Sequence, residues 1–305
     1  MKELVIIGGG PAGLTGAIYA RRQNIDFRII TRKIGGQAVL SSKVENYAGF
    51  QMVTGEELME KFESHVQDFG VDVKEGVNVT EIKEVDDRYR IFTDDGECCL
   101  TKTILIATGA NPRKLNIEGG ESYLNRGVAY CATCDAPLFR DKEVAVIGGG
   151  NSALDAARQL SGIAEKIYII TIEDKLGGEE IVRKKVVSHP SVEVITRGVS
   201  KKITGEKMVE SLALEVYGKK RILKVQGIFV EIGWVPASGF IDIVEKNSKD
   251  EIIVDLNNKT SKAGIYAAGD VTSISKKQII IAAGDGAKGV LNAIDYVSKN
   301  EIKGD

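Results

Sequence analysis

The sequence predicts an α/β protein of two doubly wound, Rossmann-like domains, the second inserted in the first. Two observations lead there. A strand, glycine-turn, helix pattern occurs twice, at the start of the chain and again at residue 148, and the strand-plus-helix material after Gly264 is too little for a third domain and most simply returns to finish the first. Glycine supports this reading: 34 of 305 residues, beside 5 prolines, signal tight turns and close backbone approach to ligands, not disorder.

In chain order, Leu4–Ile7 is a short apolar run that reads as a buried strand. Gly8-Gly9-Gly10-Pro11-Ala12-Gly13 is the turn, and Leu14 to Arg22 the helix. Val144–Ile147 leads in the same way into Gly148-Gly149-Gly150-Asn151-Ser152-Ala153 and a helix from Leu154 to Leu160. Both match G-x-G-x-x-G/A, the dinucleotide fingerprint. The first glycine makes the turn, the second lets a pyrophosphate reach the backbone, and the small third residue lets helix and strand pack. The helix N-terminus then offers free N–H groups and partial positive charge. Two ordinary tight βα turns are the competing reading, and the repetition in matching context weighs against it. Between the fingerprints, Val71–Val73, Arg88–Thr93 and Thr103–Ala107 read as strands of the first domain. Ile167–Thr171, Val192–Thr196, Val209–Tyr217 and Gly227–Ile232 read as strands of the second, and Gly264–Ala268 with Gln278–Tyr296 as the returning strand and helix.

The charge balance, 41 Lys and Arg against 43 Asp and Glu for a net charge of -2, gives no support to nucleic-acid or anionic-membrane binding. No apolar run approaches the ~18 residues that span a bilayer. Met1-Lys2-Glu3-Leu4 runs into a structural strand with no secretory pattern, so a cytoplasmic protein is expected. Of the 4 cysteines, Cys131 and Cys134 form a C-x-x-C, which reads as redox chemistry. A bare C-x-x-C is also half of a zinc site, but the second ligand pair is missing: Cys98 and Cys99 are adjacent, and the histidines are His65 and His189, so no metal is expected. Adjacent cysteines on a strand point to opposite faces and are expected to be structural.

With these residues on the page, the sequence resembles the low-molecular-weight, bacterial-type thioredoxin reductases over nearly its whole length. The resemblance rests on the two fingerprints, Gly35-Gly36-Gln37, Val44-Glu45-Asn46-Tyr47, Ala107-Thr108-Gly109-Ala110, Cys131-Ala132-Thr133-Cys134-Asp135, Gly227-Ile228-Phe229-Val230 and Gly269-Asp270. Lys277-Gln278-Ile279-Ile280-Ile281-Ala282 is similar to the flavoprotein half of the alkyl hydroperoxide reductases. The resemblance implies FAD, a homodimer, an FAD domain from residues 1–112 and 245–305, and a central nucleotide-binding-type domain, 113–244, holding the C-x-x-C. It also implies FAD-binding roles for Gly8, Gly10, Pro11, Ala12, Gly13, Gly36, Gln37, Asn46, Thr108, Gly109, Gly269, Asp270, Lys277 and Gln278. Asp270 would bind the ribityl chain, and Gln278 would present its backbone N–H to the flavin ring. Cys134 would face the flavin, Cys131 would attack the partner's disulfide, and Asp135 would move protons; a helix-start carboxylate favoured by the dipole is the alternative for Asp135. The implied partner is thioredoxin or a thioredoxin-like protein. The family's hydroperoxide-reductase flavoproteins reach their peroxiredoxin through an extra N-terminal domain, so a separate carrier is the simpler expectation here.

The electron donor departs from the resemblance. NADPH-using members have H-R-R-x-x-x-R after the second strand of the central domain, and here the matching stretch is Thr171-Ile172-Glu173-Asp174-Lys175-Leu176-Gly177. Acids stand where a 2′-phosphate would lie, and each lost charge-assisted bond is worth roughly 1.5–3 kcal/mol, so NADPH is not expected. Glu173 could accept from the ribose of NADH, with Gly148, Gly150 and Ser152 holding the nucleotide, but the NADH-dependent hydroperoxide-reductase flavoproteins place that carboxylate in register with Thr171. Ala136 after C-x-x-C-D resembles the branches that use reduced ferredoxin or a reduced deazaflavin, although ferredoxin-dependent members tend to lose the second fingerprint kept here. A drop from about -400 mV in ferredoxins to about -270 mV in thioredoxin permits ferredoxin. Reduced ferredoxin is the favoured donor, with an NADH-dependent thioredoxin- or peroxiredoxin-system reductase as the alternative, and a deazaflavin-dependent enzyme or a non-catalytic flavin-binding protein behind these. In the first domain the ribose carboxylate expected about 20 residues after the fingerprint is also absent, with Thr31, Arg32 and Lys33 in that region.

Overall fold

The computed structural model describes residues 1–41 and 44–301; of Thr133, Cys134, Asn300 and Glu301 it describes the backbone. The chain forms two compact units, Met1–Asn111 with Val235–Asp305, and Pro112–Trp234.

In unit 1, β1 (Lys2–Gly9), α1 (Pro11–Arg22) and β2 (Phe27–Ile34) make the first βαβ step. There follow α2 (Gly55–Asp68), β3 (Val73–Glu75), β4 (Val79–Val85), β5 (Arg88–Thr93) and β6 (Cys98–Ile106). The sheet runs β3-β2-β1-β6-β5-β4, parallel through β6 and antiparallel beyond it. β1 is buried on both faces, which is why it reads as a continuous apolar run: Val5 pairs with Ile104 on β6, and Ile6 with Ile29 on β2. α2 starts at a capping box, in which the Glu57 N–H donates to Thr54 Oγ1 and the Thr54 N–H to Glu57 Oε2.

β7 (Ala110–Pro112) leads into unit 2, with β8 (Val128–Ala129), α3 (Ala132–Asp135), β9 (Glu143–Ile147), α4 (Asn151–Leu160), β10 (Lys166–Ile170), α5 (Glu180–Val187) and β11 (Val192–Ile195). β12 (Gly198–Thr204), β13 (Ser211–Val216) and β14 (Lys219–Lys224) form an antiparallel meander, and β15 (Gly227–Val230) rejoins the main sheet. The parallel order is β11-β10-β9-β15-β8, so the winding reverses between β9 and β15. In open α/β sheets ligands bind at the strand C-termini of such a switch point. One strand was expected over Val209–Tyr217; the meander appears instead because Tyr217 and Gly218, at φ 48 and 76, turn the chain sharply.

β16 (Trp234–Pro236) pairs with β7, and β17 (Ile265–Ala267) and α6 (Ile279–Glu301) then complete unit 1, with Ile265 opposite Ile104. The chain re-enters unit 1 at Val235, earlier than the expected residue 245, because Ile241 and Val244 are buried with Val5, Ile7 and Ile104. No helix among the described residues is long and apolar enough to cross a membrane.

Candidate functional site

The first fingerprint is a backbone platform. Gly8 sits at φ 118 with its α-carbon against the Ala107 carbonyl, where any Cβ would overlap that oxygen. Gly10 caps α1, and among the described residues no side chain bonds to that helix end. The first turn, Pro11-Ala12-Gly13-Leu14, contains no acid, so its N–H groups and the positive end of the helix dipole are uncompensated. Gly36 faces Gly10 so closely that a Cβ on it would lie 3.2 Å from the Gly10 α-carbon. A flat anionic group fits such a floor.

The other predicted cofactor residues of unit 1 divide by what their side chains already hold. Asn46 Nδ2 donates to Gln278 Oε1 at 2.9 Å, joining positions 232 residues apart. Gln278 directly precedes α6, where its carbonyl accepts from the Ala282 N–H. The Asp270 carboxylate is half-buried and makes no hydrogen bond among the described residues; burial pushes its pKa up and the Lys277 charge pulls the other way. A half-buried acceptor of this kind suits a polyol hydroxyl. Three side chains are committed to the protein itself. Thr108 Oγ1 donates to the Ala237 carbonyl at 2.7 Å, Gln37 to the Ala110 carbonyl, and Lys277 Nζ to the Asp270 and Thr272 carbonyls and to Glu251 at 3.2 Å. Lys277 therefore braces the loop between Gly269 and α6. Glu251, its partner, carries no motif and was not among the expected residues.

The turn in unit 2 repeats this build. Gly148, at φ 144, lies against the Glu231 carbonyl, Gly150 caps α4 with no side-chain bond among the described residues, and the first turn, Asn151-Ser152-Ala153-Leu154, has no acid. Thr171 fills the space over Gly149 just as Thr31 fills it over Gly9. Glu173 is exposed; its N–H donates to Thr171 Oγ1 at 3.2 Å and its carbonyl accepts from the Arg197 N–H at 3.1 Å. Asp174 forms an ion pair with Arg197, whose guanidinium also lies over the Tyr217 ring. Arg183, expected on a solvated face, is half-buried and donates to the Leu176 carbonyl, because Leu176 is drawn into the core beside Leu154.

Glu231, at the end of β15 beside the switch point, was also not anticipated. Burial, with the negative charge of Asp155 adding to it, pushes its pKa up to about 7 from the ordinary 4.5. Between those values the unfolded chain releases a proton that the folded protein keeps, so this group favours folding at low pH and that advantage is lost as the pH rises through 7. Glu231→Gln should therefore raise the melting temperature by roughly 2–4 °C at pH 8, the effect of about 1 kcal/mol in a chain of this size, with the gap closing as the pH falls to 4.5. Thermal melts across that range check it; a gap that ignores pH would show that the carboxyl titrates normally.

Cys131 is disulfide-bonded, while Cys98 is an exposed free thiol and Cys99 a half-buried one. The Cys134 side chain lies outside the described residues. The expected helix at the pair is a single turn, Ala132–Asp135, continued as a tighter 3-10 turn through Phe139. Pro137 lacks the N–H that a longer helix needs. Asp135 is half-buried, and burial pushes its pKa up. Beyond it, after Ala136 and Pro137, Leu138 is 68% exposed.

A family model of pyridine nucleotide-disulphide oxidoreductases matches residues 2–290. The chain is 38% identical over 301 residues to the alkyl hydroperoxide reductase flavoprotein (AhpF) of Staphylococcus aureus, a match covering 98% of this chain and 59% of that protein. It thus spans less than two thirds of the length of the curated relatives it matches. Among solved structures it is similar to thioredoxin reductase of Lactococcus lactis, with a TM-score of 0.90, 36% identity and coverage of 98% of this chain and 100% of the other. It is also similar to a ferredoxin-flavin thioredoxin reductase of Clostridium acetobutylicum, with a TM-score of 0.54, 29% identity and 98% coverage of both chains.

Proposed function

The chain belongs to the pyridine nucleotide-disulphide oxidoreductase family, and from that premise we propose that it is a flavin-dependent disulfide oxidoreductase of the thioredoxin reductase type. FAD is the cofactor, and the residues of unit 1 fit it: an uncapped helix end over a glycine floor for the pyrophosphate, and the unpartnered Asp270 carboxylate for the ribityl chain. Bound FAD supplies the electron pair that opens the Cys131/Cys134 disulfide. The disulfide bond breaks, and two electrons and two protons leave two thiols. Cys131, at the mouth of a helical turn, then attacks the disulfide of thioredoxin or a thioredoxin-like protein, and Cys134 resolves the mixed disulfide, returning the pair to the oxidised state. Asp135, whose raised pKa keeps its proton available, serves these transfers, and exposed Leu138 offers the protein partner an apolar contact beside the pair. The chain acts as a homodimer. The observation that supports the reading most directly is the disulfide-bonded Cys131 one residue before a helical turn ending in a raised carboxyl.

The donor in this proposal is reduced ferredoxin and not NADPH. The segment from Thr171 to Gly177 has Lys175 as its single basic residue, and its acids Glu173 and Asp174 are exposed where a ribose phosphate would lie. NADH is the second reading, favoured by the uncapped, acid-free N-terminus of α4. Anaerobic flavin bleaching decides between them. Rapid bleaching is expected with enzymatically reduced ferredoxin, at a rate that falls with salt, because ferredoxins are typically acidic and steer by charge. Rapid bleaching by low-micromolar NADPH would falsify the donor assignment, and bleaching by NADH alone would move it to the second reading.

A further inference from the structure

Arg197 is held in place by more than its ion pair. Its backbone is in the left-handed region at φ 50, its N–H donates to the Glu173 carbonyl at 3.1 Å, its Nε bonds to Asp174, and its guanidinium carbon lies 5.7 Å from the Tyr217 ring centre. A non-glycine residue stays in that conformation when its surroundings over-determine it. These contacts fix the guanidinium against the segment that follows β10. In a dinucleotide fold that segment meets the adenosine ribose, and an arginine close by accommodates a 2′-phosphate. Here the arginine arrives from the turn after β11, so a search of the segment itself misses it. Both side chains of the pair are open to solvent, Arg197 at 54% and Asp174 at 68%, so a ligand can reach them.

We propose that Asp174 and Arg197 form a charge latch at the adenosine end of the unit 2 turn. The cation that would take a 2′-phosphate is present, and Asp174 neutralises it, so the site selects an adenosine dinucleotide with a free 2′-hydroxyl. A dianionic phosphate would have to displace Asp174 and approach Glu173 as well. An unphosphorylated ribose needs neither change. The latch rests on the second reading above, that unit 2 takes a dinucleotide.

The test uses the flavin-loaded protein, so that unit 1 is occupied, and two probes, ADP-ribose and its 2′-phosphate, titrated by calorimetry. Asp174→Asn should bind 2′-phospho-ADP-ribose about tenfold more tightly than the native protein, the order of one charge-assisted bond, and the gain should shrink with salt. Adding Arg197→Met should remove the gain, while ADP-ribose affinity stays within about twofold throughout. Melting temperatures should not move, because exposed ion pairs contribute little to stability. If ADP-ribose binds and Asp174→Asn gains nothing for the phosphorylated probe, the latch is wrong. If ADP-ribose binds to none of the proteins, the dinucleotide reading of unit 2 falls and the latch with it.

Discussion

Cys131→Ser should lower the reduction of a thioredoxin disulfide by roughly a thousandfold or more, while the flavin is still bleached by its donor at the native rate. Loss of a nucleophile that forms a covalent intermediate has effects of this size. The split between the two readouts is what identifies the residue. A serine hydroxyl keeps the size of the side chain and cannot form the mixed disulfide, so electrons still enter and have no way out. The free thiols are the comparison. Cys98 is exposed, and burial pushes the Cys99 pKa up, which lowers its share of reactive thiolate. Cys98→Ser and Cys99→Ser should leave turnover within about twofold. If either of those abolishes turnover and Cys131→Ser does not, the redox pair has been misassigned.

Gly286→Val should give a protein that is purified colourless and melts far below the native one. Gly286 lies on α6 where it crosses α1, and any Cβ there would overlap the Ala12 carbonyl oxygen, which is backbone and cannot rotate away. Nearby, a Cβ on Gly16 would come within 2.8 Å of Val290, so α1 and α6 meet backbone to backbone over two turns. Overpacking ordinarily costs about 1–3 kcal/mol, and a clash with fixed backbone belongs at or above the top of that range. Pushing α6 off α1 also carries Gln278 and Asp270 away from the Gly10 turn, so flavin should be lost along with stability. Gly284→Ala is the control on the same helix. Its Cβ meets nothing within 4 Å, and alanine in a helix should add up to about 1 kcal/mol. Absorbance at 450 nm and thermal melts of both variants check the pair; a yellow, native-like Gly286→Val would show that the helices are not packed this way.

The glycine turns were legible in the sequence because their geometry restricts residue identity. At Gly8 and Gly148 a positive φ coincides with a carbonyl where a side chain would be, so the pattern of residues reports a shape. The buried strands were legible for a related reason: β1 and β9 are covered on both faces, and continuous apolar runs record that. α2 was absent from the expectation although Thr54 and Glu57 have capping-box spacing, a local signal that was present and overlooked. Other features had no local signal. The re-entry at Val235 follows from where Ile241 and Val244 are buried, which no composition shift announces. The braces of the site are long-range pairs: Asn46 with Gln278, Thr108 with the Ala237 carbonyl, and Lys277 with Glu251. One partner of each lies in a recognisable motif, and the sequence alone does not say what the other will be. Thr108, Gln37 and Lys277 also show that a side chain inside a strong motif can be spent on holding the loop and not the ligand.

The return of β17 and α6 to unit 1 governs the order in which the protein can assemble as it leaves the ribosome. Unit 2 is one contiguous stretch, Pro112–Trp234, and all of its strands have been synthesised before β17 exists. Domains fold as units during synthesis, so the inserted unit can finish first. Unit 1 has to wait with one side of β6 unpaired at Ile104–Ile106 and with Gly16 and Ala12 of α1 uncovered, until Ile265–Ala267 and then Gly286 and Val290 emerge. During that interval its most apolar strand edge is open, and a nascent chain halted between Trp234 and Ile265 would present a finished unit 2 attached to an aggregation-prone half of unit 1. Flavin capture, which needs Asp270 and Gln278 beside the Gly10 turn, then becomes one of the last events in the maturation of the molecule.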